Sequence, residues 1–174
     1  MPRGTEPGLF ETGSFSPPQD TFPNGCHVCE VEIDPETGAV SLERYSVVDD
    51  VGTVVNPKTL KGQIHGGVVQ GLGQVLMEEV VYDRQSGQLL TASFMDYAMP
   101  RADDLCAFEV ESRPVPTKLN PLGVKGAGEA GTVGALPAVM NAIMDALAGA
   151  GVDQFDMPAS PTRIWQALAG AGRR

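Results

Sequence analysis

The residues best suited to chemistry lie in one short run, GVKGAGEAG, from Gly123 to Gly131, which sets one lysine and one glutamate among four glycines. Glycine is used where the backbone needs positive φ or where another group must approach the main chain closely. A lone carboxylate in such a run is either a solvated decoration or a group aimed at a ligand. A helical pattern follows, so Glu129 falls at or just before a helix N-terminus. The helix dipole there favours the ionised carboxylate, while burial in a ligand pocket opposes ionisation. A carboxylate held between those two effects suits a general base. On the run alone, a plain first-turn acid that complements the dipole is the more economical reading.

Two other patterns invite chemistry and are set aside. Gly126-Ala-Gly128-Glu-Ala-Gly131 spells G-x-G-x-x-G, but the dinucleotide fingerprint needs a buried strand before it and an acidic residue about 20 positions later. Pro116 and Pro121 precede the run instead, and only AGAGVDQFDMP follows the helix. Cys26-His-Val-Cys29 is a CxxC whose further zinc ligands would have to come from His65 and Cys106. His27 stands between the two cysteines, not after the second, so the haem-attachment pattern fails. The segment reads as a strand, which points Cys26 and Cys29 to opposite faces. No protein metal ligand is expected.

The elements that must position Glu129 follow from local patterning. HVCEVEI, DPETG and AVSLERYSVV form a β-hairpin, with Cys29, Val31 and Ile33 on one face and Glu30 and Glu32 on the other. A second hairpin is expected around VVYDRQSGQLL, and a short strand at 107–112. Asn56-Pro57 is an N-cap followed by proline at the first helical position, opening a helix to about Met77. A second helix runs through TVGALPAVMNAIMDAL, with Val133, Leu136, Met140, Ile143, Met144 and Leu147 as its core face and Pro137 in its first turn. Ser160 caps a last short helix. The fold class is α+β: antiparallel hairpins packed with two main helices and a short C-terminal helix.

The first helix is unusual in carrying five glycines, at 62, 66, 67, 71 and 73. Each costs about 1 kcal/mol against alanine in a helix interior, so something must offset them. Leu60, Ile64, Val68, Leu72 and Val75 make one apolar face; Gln63, Gly66, Gly67, Gln70, Gly73 and Gln74 fall on another. Small residues suit close packing against a neighbour, while the glutamines add donors and acceptors that packing does not need. His65 lies off this stripe and reads as a surface or packing histidine.

Composition narrows the partners. A chain of 174 residues, 42% hydrophobic and 20% charged, suits one soluble globular domain. The net charge of −10, with no basic cluster, argues against nucleic acid or an anionic membrane as partner. The three cysteines are too few and odd in number for a disulfide framework. No apolar run is expected to span a membrane and no secretory signal opens the chain, so a cytoplasmic location is expected.

Two motifs in order carry a resemblance. GQIHGGVVQGLG, followed at a distance by NPLGVKGAGEAG and a helix, is similar to the C-terminal part of the molybdopterin-binding large subunit of the xanthine dehydrogenase, aldehyde oxidase and carbon monoxide dehydrogenase family. VEIDPETGAVSLERYSVVDDVGTVVNP, SFMDYAMPRADDL and DMPASPTRIWQAL agree with it. The resemblance starts near residue 20 and divides the chain into an extended lead-in or linker, 1–25, and a C-terminal molybdopterin-binding domain, 26–174. It implies that Glu129 is the catalytic base for oxidative hydroxylation of a purine, aldehyde or N-heterocycle. It also implies that Gln70, Gln63, Gly66 and Gly67 lie along the pterin, and that Lys125, Gly126 and Gly128 bring the loop to the cofactor.

The implied cofactor is molybdopterin, expected in its cytosine dinucleotide form, with molybdenum held by the pterin and not by protein side chains. Iron–sulfur clusters and FAD are expected only on partner domains or subunits. The expected partners are therefore the remaining molybdenum-subunit portion, the iron–sulfur and FAD subunits, and a small-molecule substrate. The family's large subunit is several times longer, so this chain is expected to be inactive alone, as a split subunit or a portion of a longer product. A second reading makes it a non-catalytic interaction or assembly module that keeps the same fold.

Overall fold

The structure, a computed structural model, describes Gly8, Phe10 and residues 12–172; part of the lead-in expected at 1–25 lies outside the described residues. Residues 12–23 carry no helix or strand. The first hairpin forms as its alternation predicts. β1 (Asn24–Ile33) pairs antiparallel with β2 (Val40–Asp50). Asp34 closes the turn, accepting from the Glu36 amide at 2.9 Å and the Thr37 hydroxyl at 2.7 Å, and Gly38 takes φ 75°. Glu30 pairs with Arg44 but Val31 with Leu42, so Glu43 is an extra, bulged residue. A bulge resets the two-residue period of a strand. Leu42 and Tyr45, three apart, therefore both face the core.

α1 (Pro57–Leu76) starts where Asn56 caps it, its side-chain oxygen accepting from the amides of Lys58 at 3.0 Å and Thr59 at 3.1 Å. The chain then returns to add β3 (Phe108–Ser112) parallel to β2, giving one sheet in the order β1-β2-β3. The hairpin expectation did not include this crossover. A parallel neighbour requires a long connection, and here α1 is part of it. α2 (Ala130–Ala148) and α3 (Pro161–Ala171) complete the α+β fold. The second hairpin forms only as a turn over Asp83–Gly87 with an isolated bridge between Tyr82 and Leu89, without strands. Asp83 accepts from Ser86 and Gln85 in that turn, which holds it without a neighbouring sheet.

α2 corrects two sequence expectations. It begins at Ala130, directly after Glu129, so Pro137 lies in its interior and not in its first turn. The proline is exposed, and the carbonyl it leaves without an amide, that of Val133, belongs to the solvent side of the helix. The core face is Ala135, Val139, Ile143 and Leu147, at four-residue steps, while Val133 is 66% exposed. Leu136 and Met140 pack at the margin of the core. α2 is also, by length and composition, apolar enough to cross a membrane, contrary to the sequence expectation. Its buried stripe packs against α1 and β1.

The helix–helix contact explains part of the glycine content. A Cβ on Gly67 would come within 2.9 Å of the Thr132 nitrogen and 3.0 Å of the Gly131 Cα; one on Gly71 would come within 2.6 Å of the Ala135 Cβ. One on Gly131 would meet the Ile64 carbonyl at 2.5 Å. The two backbones touch there, so packing accounts for these positions. Tyr45 and Val47 from the sheet, with Ile64, Val68, Leu72 and Val75 from α1, complete the core.

Candidate active site

Glu129 is the N-cap residue of α2, at φ −105° and ψ −8°, and its exposed side chain makes no capping bond. The loop before it is tied down residue by residue as far as Lys125. The Thr53 and Thr117 amides both donate to the Gly123 carbonyl, at 2.9 and 3.1 Å, and the Lys125 amide donates to the Val51 carbonyl at 2.9 Å. The Asn120 side chain accepts from the Val124 amide and donates to its carbonyl. Beyond Lys125 the tie is a side-chain contact, from Gln63. A Cβ on Gly126 or Gly128 would meet nothing within 4 Å, and neither has positive φ.

Asp50, at the end of β2, holds this loop. One carboxylate oxygen accepts from the Gly52 and Val115 amides, at 2.8 and 2.9 Å; the other accepts from Asn24 at 3.1 Å and from the Lys125 ammonium at 2.5 Å. Desolvation works against its ionisation, and the Lys125 ammonium and the two amides overcome it, holding Asp50 down to about 2. Lys125 is thus paired within the chain. Sequence reasoning passed over Asp50, although it is the residue that aims the loop.

The amide stripe meets the loop. Gln63 donates to the Gly128 carbonyl at 3.4 Å, and the Thr132 hydroxyl donates to the Gly67 carbonyl at 3.0 Å with Gln70 Oε1 3.4 Å away. Gly66, unlike Gly67, faces open space. Gln63, Gly66, Gln70, Gly126, Gly128 and Glu129 therefore share one accessible side of the molecule, and Gly67 belongs to the helix contact. His65 packs edge-on against Phe108 at 5.4 Å, and burial, then Lys61, lowers its affinity for a proton. It takes the packing role expected of it.

Glu129 lies between two cavities. In front, a cleft of about 810 Å³ runs between lead-in residues such as Phe15, Gln19 and Phe22 and loop residues Pro121, Leu122, Gly126 and Gly128. Behind, a cavity of about 330 Å³ is lined by His27, Asp49, Ala130 and Gly134. Glu129, Phe22 and Pro23 line both. His27 and Asp49 were missed in the sequence. The signal was present in Asp49-Asp50: successive strand residues point to opposite faces, so one of two adjacent carboxylates must turn inward.

The CxxC does not form a reactive pair. Cys26 is exposed and Cys29 faces the core, on opposite faces as the strand requires. Burial, helped by Cys106, pushes the Cys29 thiol up to about 12, and reactivity needs the thiolate. Among the described residues, no three His, Cys, Asp or Glu side chains are grouped to hold a metal ion.

A glycine loop and an amide-edged helix therefore meet on one side of the domain, with open space at Gly66, Gly126 and Gly128. The chain belongs to the molybdopterin cofactor-binding domain family, which it matches over residues 3–106. The large subunit of nicotine 6-hydroxylase from Paenarthrobacter nicotinovorans is 42% identical over 169 residues, 97% of this chain and 21% of that protein. The solved structure of a Cu,Mo-CO dehydrogenase aligns with TM-score 0.90 at 36% identity, over 98% of this chain and 21% of that one. Quinoline 2-oxidoreductase from Pseudomonas putida 86 aligns with TM-score 0.81 at 40% identity, over 84% of this chain and 19% of that one. The chain thus spans about a fifth of the length of the relatives it matches.

Proposed function

We propose that this chain supplies the general base and one wall of the molybdopterin site in a molybdenum hydroxylase, with Glu129 as the base. The observation that carries the reading is the contact between the two motifs. Gln63 on α1 reaches Gly128 beside Glu129, so amide stripe and acid form one surface. The fit to a bulky cofactor rests on Gly66, Gly126 and Gly128. Nothing within the chain requires glycine there, since each faces open space and none has positive φ. A group approaching from outside the chain supplies the reason.

In this reading Gln63 and Gln70 offer amide donors and acceptors to the pterin, and Gly66, Gly126 and Gly128 let it lie against the backbone. When bound, the cofactor supplies the two-electron oxidising centre. Glu129 takes the proton released as the substrate carbon is hydroxylated. Asp50 and Lys125 fix the loop so that the carboxylate is presented at the N-terminus of α2. The cofactor is assigned as the cytosine dinucleotide, with iron–sulfur and flavin centres on partner domains or subunits. The substrate class is an N-heterocycle, aldehyde or purine. Nicotine and quinoline, named in two relatives, are the N-heteroaromatic probes of choice.

The test is Glu129→Gln in the assembled enzyme, assayed with nicotine, quinoline, xanthine and benzaldehyde as a panel. Loss of a general base should reduce turnover about 10²–10⁴-fold, while metal analysis finds the molybdenum content unchanged. Retained turnover would remove Glu129 from this role. A complex that never contains molybdenum or pterin would favour the non-catalytic module.

A further inference from the structure

Behind Glu129, three polar side chains are linked in a nearly dry setting. Tyr45, Val47 and Asp49 share the inner face of β2, and His27 stands opposite on β1. His27 Nδ1 lies 2.8 Å from the Tyr45 hydroxyl and Nε2 lies 3.4 Å from Asp49 Oδ1, with the His27 and Asp49 side chains only 5% and 4% exposed. One tautomer suits both neighbours: Nε2–H turned toward the Asp49 carboxylate and Nδ1 accepting from the Tyr45 hydroxyl. Glycines make the space on both sides. A Cβ on Gly25 would collide with Asp49 Oδ1, and one on Gly134 would come within 2.5 Å of His27 Nε2.

Asp49 Oδ2, however, has no hydrogen-bond partner. A buried carboxylate oxygen without a donor is costly to leave unpaired, and this residue lines the cavity that also reaches Glu129. The groups facing Asp49 are His27 from β1, Tyr45 through that imidazole, and Glu129 from the start of α2; Ala130, Val133 and Gly134 bring no charge. A base that takes a proton in front must lose it before the next cycle. The cavity behind it is lined by a second carboxylate, that of Asp49.

We propose that Asp49, held by His27 and Tyr45, is the proton acceptor that resets Glu129. This rests on Glu129 being the base. The proton leaves the Glu129 carboxyl group, crosses the rear cavity through solvent water, and binds the Asp49 carboxylate, which lines that cavity. Glu129 is again a carboxylate, Asp49 becomes a neutral acid, and no electrons move. The proton then returns to bulk solvent past Phe22 at the edge of the cavity, restoring Asp49.

Two measurements test it. The first uses the 174-residue chain, whose two histidines give two imidazole signals to follow by NMR against pH. In Glu129→Gln, loss of a negative charge should move the His27 midpoint down by roughly half a pH unit, the order expected for charges coupled across a solvated cavity. His65 should stay in place, and an unmoved His27 would overturn the coupling. The second compares Asp49→Asn with wild type in the assembled enzyme, using the panel of substrates above. Turnover should fall about tenfold, altered more in kcat than in kcat/KM, and should recover as imidazole buffer is raised, which a structural defect would not do. Wild-type turnover, or a loss that buffer does not restore, would sink the relay. If Glu129→Gln itself stays active, the proposed function fails instead. Glu129 is exposed, so its variant tests the coupling even where a substitution at buried Asp49 disturbs folding.

Discussion

Asp50 and Glu129 show how far apart a positioning carboxylate and the proposed base stand in their surroundings. Asp50 spends both oxygens on four donors; Glu129, directly after Gly128, spends neither oxygen on its own helix. The difference has a pH consequence. Asp50 is held at about 2 in the fold against an ordinary value of 3.8. A carboxyl group lowered by folding stabilises the fold above its unfolded value, and that contribution is lost as the pH falls through the folded one. Stability measured by urea denaturation should therefore decline between about pH 4 and pH 2. Asp50→Asn should be less stable at neutral pH and flatter across that window. At this scale Glu129 and Gln70 were legible as types in a pattern. Asp49 was not, because its significance depends on a partner strand and on a helix that begins 81 positions away by sequence number.

At the scale of elements, α1 uses its glycines in two ways that propensity cannot separate. Gly67 lies against Gly131 and Thr132, whereas Gly66, the residue before it, faces open space. Gly67→Val should force the helices apart and destabilise the fold by about 2–3 kcal/mol. Gly66→Ala should stabilise the chain by up to about 1 kcal/mol through helix propensity, while reducing the molybdenum content of the assembled enzyme. Urea midpoints and metal analysis check the two halves. α1 itself was readable from Asn56-Pro57 and its apolar period. On α2, Ile143 and Leu147 were read correctly as core, but Val133 was placed there and Ala135 and Val139 were missed, because Val133 fits a helical period as well as Ala135 does. Only the close approach at Gly131, which turns the small side of α2 toward α1, selects the second. β3 was found as a strand, but its parallel pairing with β2 depends on where the crossover returns it.

At the scale of the whole molecule, the proposed function makes the accessible surface around Glu129 one wall of a site. The chain covers 21% of the length of the nicotine 6-hydroxylase large subunit, and the proposed function leaves the opposite wall to the remainder of such a subunit. The isolated chain should therefore hold no molybdenum firmly and oxidise none of the probe substrates, whereas co-production with the remaining portion should give a complex containing both metal and pterin. Metal analysis of the purified chain and complex decides this. Turnover by the chain alone would show that a complete site fits within these 174 residues.

The sequence by itself determined the pieces governed by near neighbours. Alternation set the hairpin, an Asn-Pro cap started α1, and a glutamate placed among glycines marked the loop before α2. It also carried enough ordered motif to indicate the family. The tertiary structure decided which glycines are packed and which stay open, which of two adjacent aspartates turns inward, and that Glu129 separates two cavities. Local preferences act within a turn of helix or along one strand. Burial, pairing and shared cavities depend on residues that meet only after the chain has folded.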